Sequence, residues 1–159
     1  MARVLVSIWL TLLPLIEGGV SSVDAGDEMI YAINEARVAH HVPPVRRDER
    51  LTRAAFAKVT DMVTRGYVAH LTPEGRGSNW FARQAGYPLP AEWPDDRNFI
   101  ESIYVGGGTP FEAVGAFLAS PSHSVHLLGG AGFARSTDIG VAHLENIWVI
   151  FIARPEGGT

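Results

Sequence analysis

Residues 138–153 read Asp138-Ile139-Gly140-Val141-Ala142-His143-Leu144-Glu145-Asn146-Ile147-Trp148-Val149-Ile150-Phe151-Ile152-Ala153. Two apolar, partly β-branched runs, Asp138 to Leu144 and Ile147 to Ala153, flank the pair Glu145-Asn146. Such side chains suit a pleated, buried strand. A two-residue link between two such runs predicts a β-hairpin. This is the clearest strand signal in the chain, and it stands at the C-terminal end.

Upstream, the pattern is mainly helical. Thr109-Pro110-Phe111-Glu112 opens a helix to about Ala119, and Ser120-Pro121-Ser122-His123 opens a shorter one. The stretch Asn98 to Val105 contains a strand, broken by Gly106-Gly107-Gly108. Ser78 to Ala85 reads as a short helix closed by Gly86, and a Pro-rich loop covers Pro88 to Pro94. A longer helix begins at Asp48, a plausible N-cap. It carries Leu51, Ala54, Ala55, Val59, Met62 and Val63 at three- and four-residue spacings and stops at Gly66. The first helix runs from about Asp27 to His40 and ends at Val42-Pro43-Pro44-Val45, because proline cannot continue it. Helices first, mixed elements next and a hairpin last predict an α+β fold, a small antiparallel sheet with helices packed on it.

The chain has 159 residues, 47% apolar and 19% charged, with a formal net charge of -4. That suits one domain with its own core. No basic stripe is present, so no nucleic-acid partner is expected. Arg3, the apolar run Val4 to Ile16 and the small residues from Gly18 to Ser22 have the layout of a secretory signal peptide. The run is short for a membrane span, which needs roughly 20 residues. Residues 1–23 are therefore expected to be a signal peptide, with an uncleaved N-terminal anchor as the alternative and the only route to a membrane. Residues 24–159 form the domain, secreted or periplasmic. The chain has no cysteine, so the core must stabilise it without disulfides.

Four side chains are candidates for chemistry, each beside an ordinary explanation. His70 precedes the turn Thr72-Pro73-Glu74-Gly75, and His123 opens a short helix; both stand at element ends, where a side chain can face a cleft. Glu101 interrupts a strand suited to burial and needs either an outward orientation or a partner. Glu112 fits a capping box with Thr109. His40 and His41 read as surface residues at a helix end, and His126 and His143 as structural or surface. There is no His-Glu-x-x-His and no Gly-x-Ser-x-Gly, and without cysteine there is no thiol nucleophile.

In order and spacing, these segments resemble the bacterial, cysteine-free branch of the CAP superfamily (cysteine-rich secretory proteins, antigen 5, pathogenesis-related 1). The resemblance is carried by Ile33-Asn34-Glu35-Ala36-Arg37, Arg65-Gly66-Tyr67-Val68-Ala69-His70 and Ile100-Glu101-Ser102-Ile103. It continues in Pro110-Phe111-Glu112-Ala113-Val114, Ser120-Pro121-Ser122-His123 and the closing strands. It implies a three-layer α-β-α sandwich with two histidines and two glutamates in a central cleft, here His70, Glu101, Glu112 and His123. It also implies a divalent cation, zinc by the chemistry of imidazole ligands. His70 and His123 would be the ligands, with Glu101 and Glu112 as further ligands or as supports. The family pattern departs at Ile100, Ser102, Ser122 and Ser124. The expected function is a non-enzymatic module binding a metal and a small ligand such as a lipid, glycan or wall fragment. The alternatives are a zinc-dependent hydrolase, with Glu101 or Glu112 as general base, and a scaffold without a working site.

Overall fold

Residues 138–153 fold as the hairpin their pattern predicts. The computed structural model describes residues 22–157. In it, β3 (Asp138–Leu144) and β4 (Ile147–Ala153) pair antiparallel, from Asp138↔Ala153 to Leu144↔Ile147. Glu145 at the turn takes a left-handed φ of 55°. β2 (Glu101–Val105) lies antiparallel on the other edge of β4, with Glu101 opposite Phe151. β1 (Arg46–Arg47) pairs with β3, so the strand order is β1-β3-β4-β2. That edge pairing is parallel, which departs from the purely antiparallel expectation. Two residues wedged between Pro44 and the Asp48 cap are too few to show a strand pattern.

β4 is buried along its whole length, and its period of two serves both faces. Ile147, Val149, Phe151 and Ala153 join one core with α2 (Glu49–Arg65) and α3 (Ser78–Gln84). Trp148, Ile150 and Ile152 join a second core with α1 (Ser22–Ala39), α4 (Pro110–Ala119) and α5 (Pro121–Leu127). A 3-10 turn covers Ala131–Phe133. Helices on both faces of the sheet make the expected three-layer α-β-α sandwich. α1 starts five residues before its expected start at Asp27. The apolar run Val4 to Ile16, read as a signal peptide, lies outside the described residues.

Local caps set these elements. Asp48 accepts from the Arg50 and Leu51 amides at 2.8 and 3.3 Å, and Gly66 closes α2 at φ 69°. Asp48→Ala is expected to lower stability by about 1 kcal/mol, read as a shifted urea midpoint at unchanged slope. Arg37, fully buried on α1, donates to the Pro43 carbonyl and to the Leu127 carbonyl, both at 2.7 Å. It ties the exit of α1 to the end of α5, the helix that carries His123.

Candidate functional site

The loop after α2 brings His70 over the start of β2. Lys58, fully buried on the inner face of α2, donates from Nζ to the His70 carbonyl at 3.2 Å. Its ammonium lies 5.3 Å from the Tyr67 ring centre and 5.4 Å from that of Phe81. Burial lowers the Lys58 pKa, while Glu101 and Asp61 pull it up.

Glu101, at the first position of β2, has a side chain with 0% exposure, and its Oε2 lies 2.8 Å from His70 Nδ1. Its Oε1 is buried with no hydrogen-bond partner. Burial raises the Glu101 carboxyl above its ordinary range; the bond to His70 and the charge of Lys58 oppose that rise. Asn98 braces the corner. Its Oδ1 accepts from the Glu101 amide at 2.9 Å and from Ser78 Oγ at 3.0 Å. Those donors fix the amide orientation, so Nδ2 donates to the Glu101 carbonyl at 3.1 Å and also lies 2.8 Å from His70 Nδ1. One ring nitrogen cannot satisfy both neighbours. Because a hydrogen bond to a carboxylate is the stronger, an ionised Glu101 holds the proton on Nδ1. Nε2 is then the free lone pair, on the opposite edge of a side chain that is 47% exposed.

His123 is the third residue of α5, after Pro121 and Ser122, and it packs edge-on against Phe117 at 5.2 Å. Burial, then the nearby His70, lowers its pKa, so it is neutral at pH 7. His70, Glu101 and His123 line one cavity of about 370 Å³, with Asn98, Phe99, Ser102 and His126 among the other walls. The structure therefore brings three of the four sequence candidates together. Glu112 stays apart. Its Oε2 accepts from the Thr109 amide at 2.8 Å and Thr109 Oγ1 accepts from the Glu112 amide, completing a capping box at the start of α4. Among the described residues no group of three or more His, Asp or Glu side chains is arranged to hold a metal ion.

Two wall residues escaped the sequence reading. Ser102 Oγ is 2.7 Å from His126 Nδ1, and both are buried. His126 Nε2 faces the Ile152 carbonyl at 3.5 Å. The pair resembles a nucleophile and its base. However, burial holds the imidazole down at about 4, and its far nitrogen faces a carbonyl rather than a carboxylate, so it is a poor proton acceptor. The two lie 24 residues apart, with no local pattern to link them.

The layered sheet and the histidine-lined cleft over its edge define a class of protein, and comparison places it. The chain belongs to the CAP family, whose sequence model, described as the cysteine-rich secretory protein family, matches residues 30–147. No curated protein sequence matches this chain. Among solved structures it resembles an extracellular protein containing an SCP domain from Bacillus anthracis, with TM-score 0.73 and 16% identity. The alignment covers 92% of this chain but only 46% of that one, so this chain spans about half that protein's length. An outer surface protein from Borrelia burgdorferi gives TM-score 0.69 and 17% identity, over 86% of this chain and 96% of that one. A cysteine-rich secretory protein from Staphylococcus aureus gives 0.63 and 10%, over 89% and 41%.

Proposed function

We propose that this is an exported, non-enzymatic binding module whose cleft takes a divalent cation, zinc by preference, between His70 and His123. The observation that carries the reading is the bond from His70 Nδ1 to a fully buried Glu101. A carboxylate behind an imidazole fixes the tautomer and aims the other nitrogen outward, the common support of a metal-bound histidine. The donor set fits such an ion: two imidazoles line the cavity, one is neutral at pH 7, and water would complete the coordination. A small lipid, glycan or wall-derived ligand would bind beside the ion, against Phe99 and Phe133. Export is supported by the N-terminal apolar run and by the extracellular and outer-surface neighbours. Zinc hydrolysis is the weaker reading. It needs a carboxylate base within reach of the substrate. Glu101 borders the cavity, but its side chain is 0% exposed and its Oε2 is bonded to His70, and Glu112 is spent on its helix cap.

Calorimetric titration with zinc tests this. Wild type should bind about one ion per chain, and His70→Ala/His123→Ala none. Glu101→Gln should weaken binding about 10- to 100-fold by loosening the His70 ring. Glu112→Gln should leave binding unchanged and cost only helix-cap stability. Absence of zinc binding by wild type at neutral pH, or undiminished binding by the double variant, would sink the reading.

A further inference from the structure

A second cavity, of about 500 Å³, lies between α2, the turn 72–76 and α3. Its α2 wall is a stripe at four-residue spacing, Arg53, Ala57, Asp61 and Arg65. The volume falls within the range of small-molecule sites, about 300–1,000 Å³.

The charges in this cavity are unevenly committed. Arg65 pairs with both Asp61 and Glu74, and Tyr67 also donates to Asp61. That leaves Arg53 and Arg76, neither of which forms an ion pair among the described residues. Both are held in place. Arg53 spends one N–H on the Ala85 carbonyl at 3.3 Å. The Arg76 guanidinium carbon lies over the Trp80 ring, 4.3 Å from its centre. Its backbone is locked by Thr72, whose amide donates to the Arg76 carbonyl at 2.9 Å and whose Oγ1 accepts from the Arg76 amide. A guanidinium held over a ring by cation–π attraction need not spend its N–H groups on that contact, which leaves its fork available to a planar or tetrahedral anion. Ala54, Ala57, Phe81 and Ala85 supply apolar wall to the same cavity.

We propose that this cavity is an anionic-sugar site, taking a mono- or disaccharide that carries a carboxylate or phosphate. The anion meets Arg53 and Arg76. The C–H face of the sugar ring lies on the alanine and aromatic wall. Its hydroxyls donate to the remaining lone pairs of Asp61 and Glu74, which would repel an anion without hydroxyls. This site does not depend on the histidine cleft or on any metal.

NMR titration of the full domain with digalacturonate, glucose 6-phosphate and neutral digalactose tests the proposal. One or both anionic sugars should shift the Trp80 indole and the Arg76 and Ala57 amides at millimolar concentration. Which of them does so separates carboxylate from phosphate as the anchor. Digalactose should bind far more weakly. Arg53→Gln and Arg76→Gln, both at exposed positions, should each weaken binding about tenfold, while His70→Ala/His123→Ala should leave it unchanged. No shifts with either anionic sugar, equal binding by the Arg53→Gln/Arg76→Gln double variant, or equal affinity for inorganic phosphate would overturn the assignment.

Discussion

Gly140→Ala should cost about 3 kcal/mol of stability, although alanine is the better strand residue. Gly140 sits in β3 opposite Phe151, where α2 crosses the sheet. A Cβ there would stand 2.1 Å from the Leu51 carbonyl carbon and 2.3 Å from the Thr52 nitrogen. Both are backbone atoms of α2, so no rotamer change relieves the overlap, and the helix must lift off the sheet. Lifting it opens the core that Leu51, Ala55 and Val59 share with Val149 and Phe151. Overpacking of this kind typically costs 1–3 kcal/mol, and a clash with backbone belongs at the upper end. The control is the same substitution at Gly115, in the middle of α4, where a Cβ meets nothing within 4 Å. There, removing a helical glycine should stabilise by roughly 0.5–1 kcal/mol. Urea unfolding of both variants reads the opposite signs directly. A Gly140→Ala midpoint equal to wild type would mean that α2 does not seat on β3 this closely. Because α2 also carries Lys58, the same lift should disturb the loop that presents His70.

The fold was legible because its deciding signals are local. The hairpin, the Asp48 and Gly66 ends of α2 and the Thr109 box each lie within a few residues of chain. The parts that escaped are long-range or too short. β1 is two residues pinned by their neighbour, and no window detects that. Lys58 falls on the same α2 face as Leu51, Ala55 and Val59, so its spacing marked it for burial, but its charge hid it from a reading that counted apolar residues. The two glutamates show the limit most clearly. Composition alone assigned Glu112 to its helix cap, and family resemblance moved it into the cleft. In the structure the carboxylate is on the cap. A contact three residues away needs little ordering of the chain, whereas a place in the cleft depends on how α4 is set against β2. Glu101 had no such local partner. Its burial needed His70, 31 residues earlier, and only resemblance joined those two in advance.

Acid should unfold this protein through His126, a residue the sequence left as structural or surface. The ring is buried, 4% exposed, with Ser102 on Nδ1, the Ile152 carbonyl at Nε2 and the Phe133 ring packed edge to face at 4.7 Å between centres. Burial, aided by the positive charges of His123, Arg37 and His70, holds its folded pKa at about 4. The unfolded value is about 6.5, so between these two limits the unfolded chain binds the proton and the folded one does not. Stability is therefore intact above about pH 6.5 and falls as pH drops towards 4, by about 3 kcal/mol in all. Glu101 works the other way, since its raised carboxyl favours the folded state in acid, and His123 adds to the fall. The measurement must therefore compare slopes. Unfolding free energy from pH 7 to 4 should fall more steeply for wild type than for His126→Gln, by about 3 kcal/mol over the range. The other groups contribute equally to both curves. Parallel curves would mean that His126 is reached by water or finds a partner for its second proton. In that case the Ser102–His126 pair regains the basicity that a nucleophile's partner needs, and hydrolysis by this cleft becomes the stronger reading.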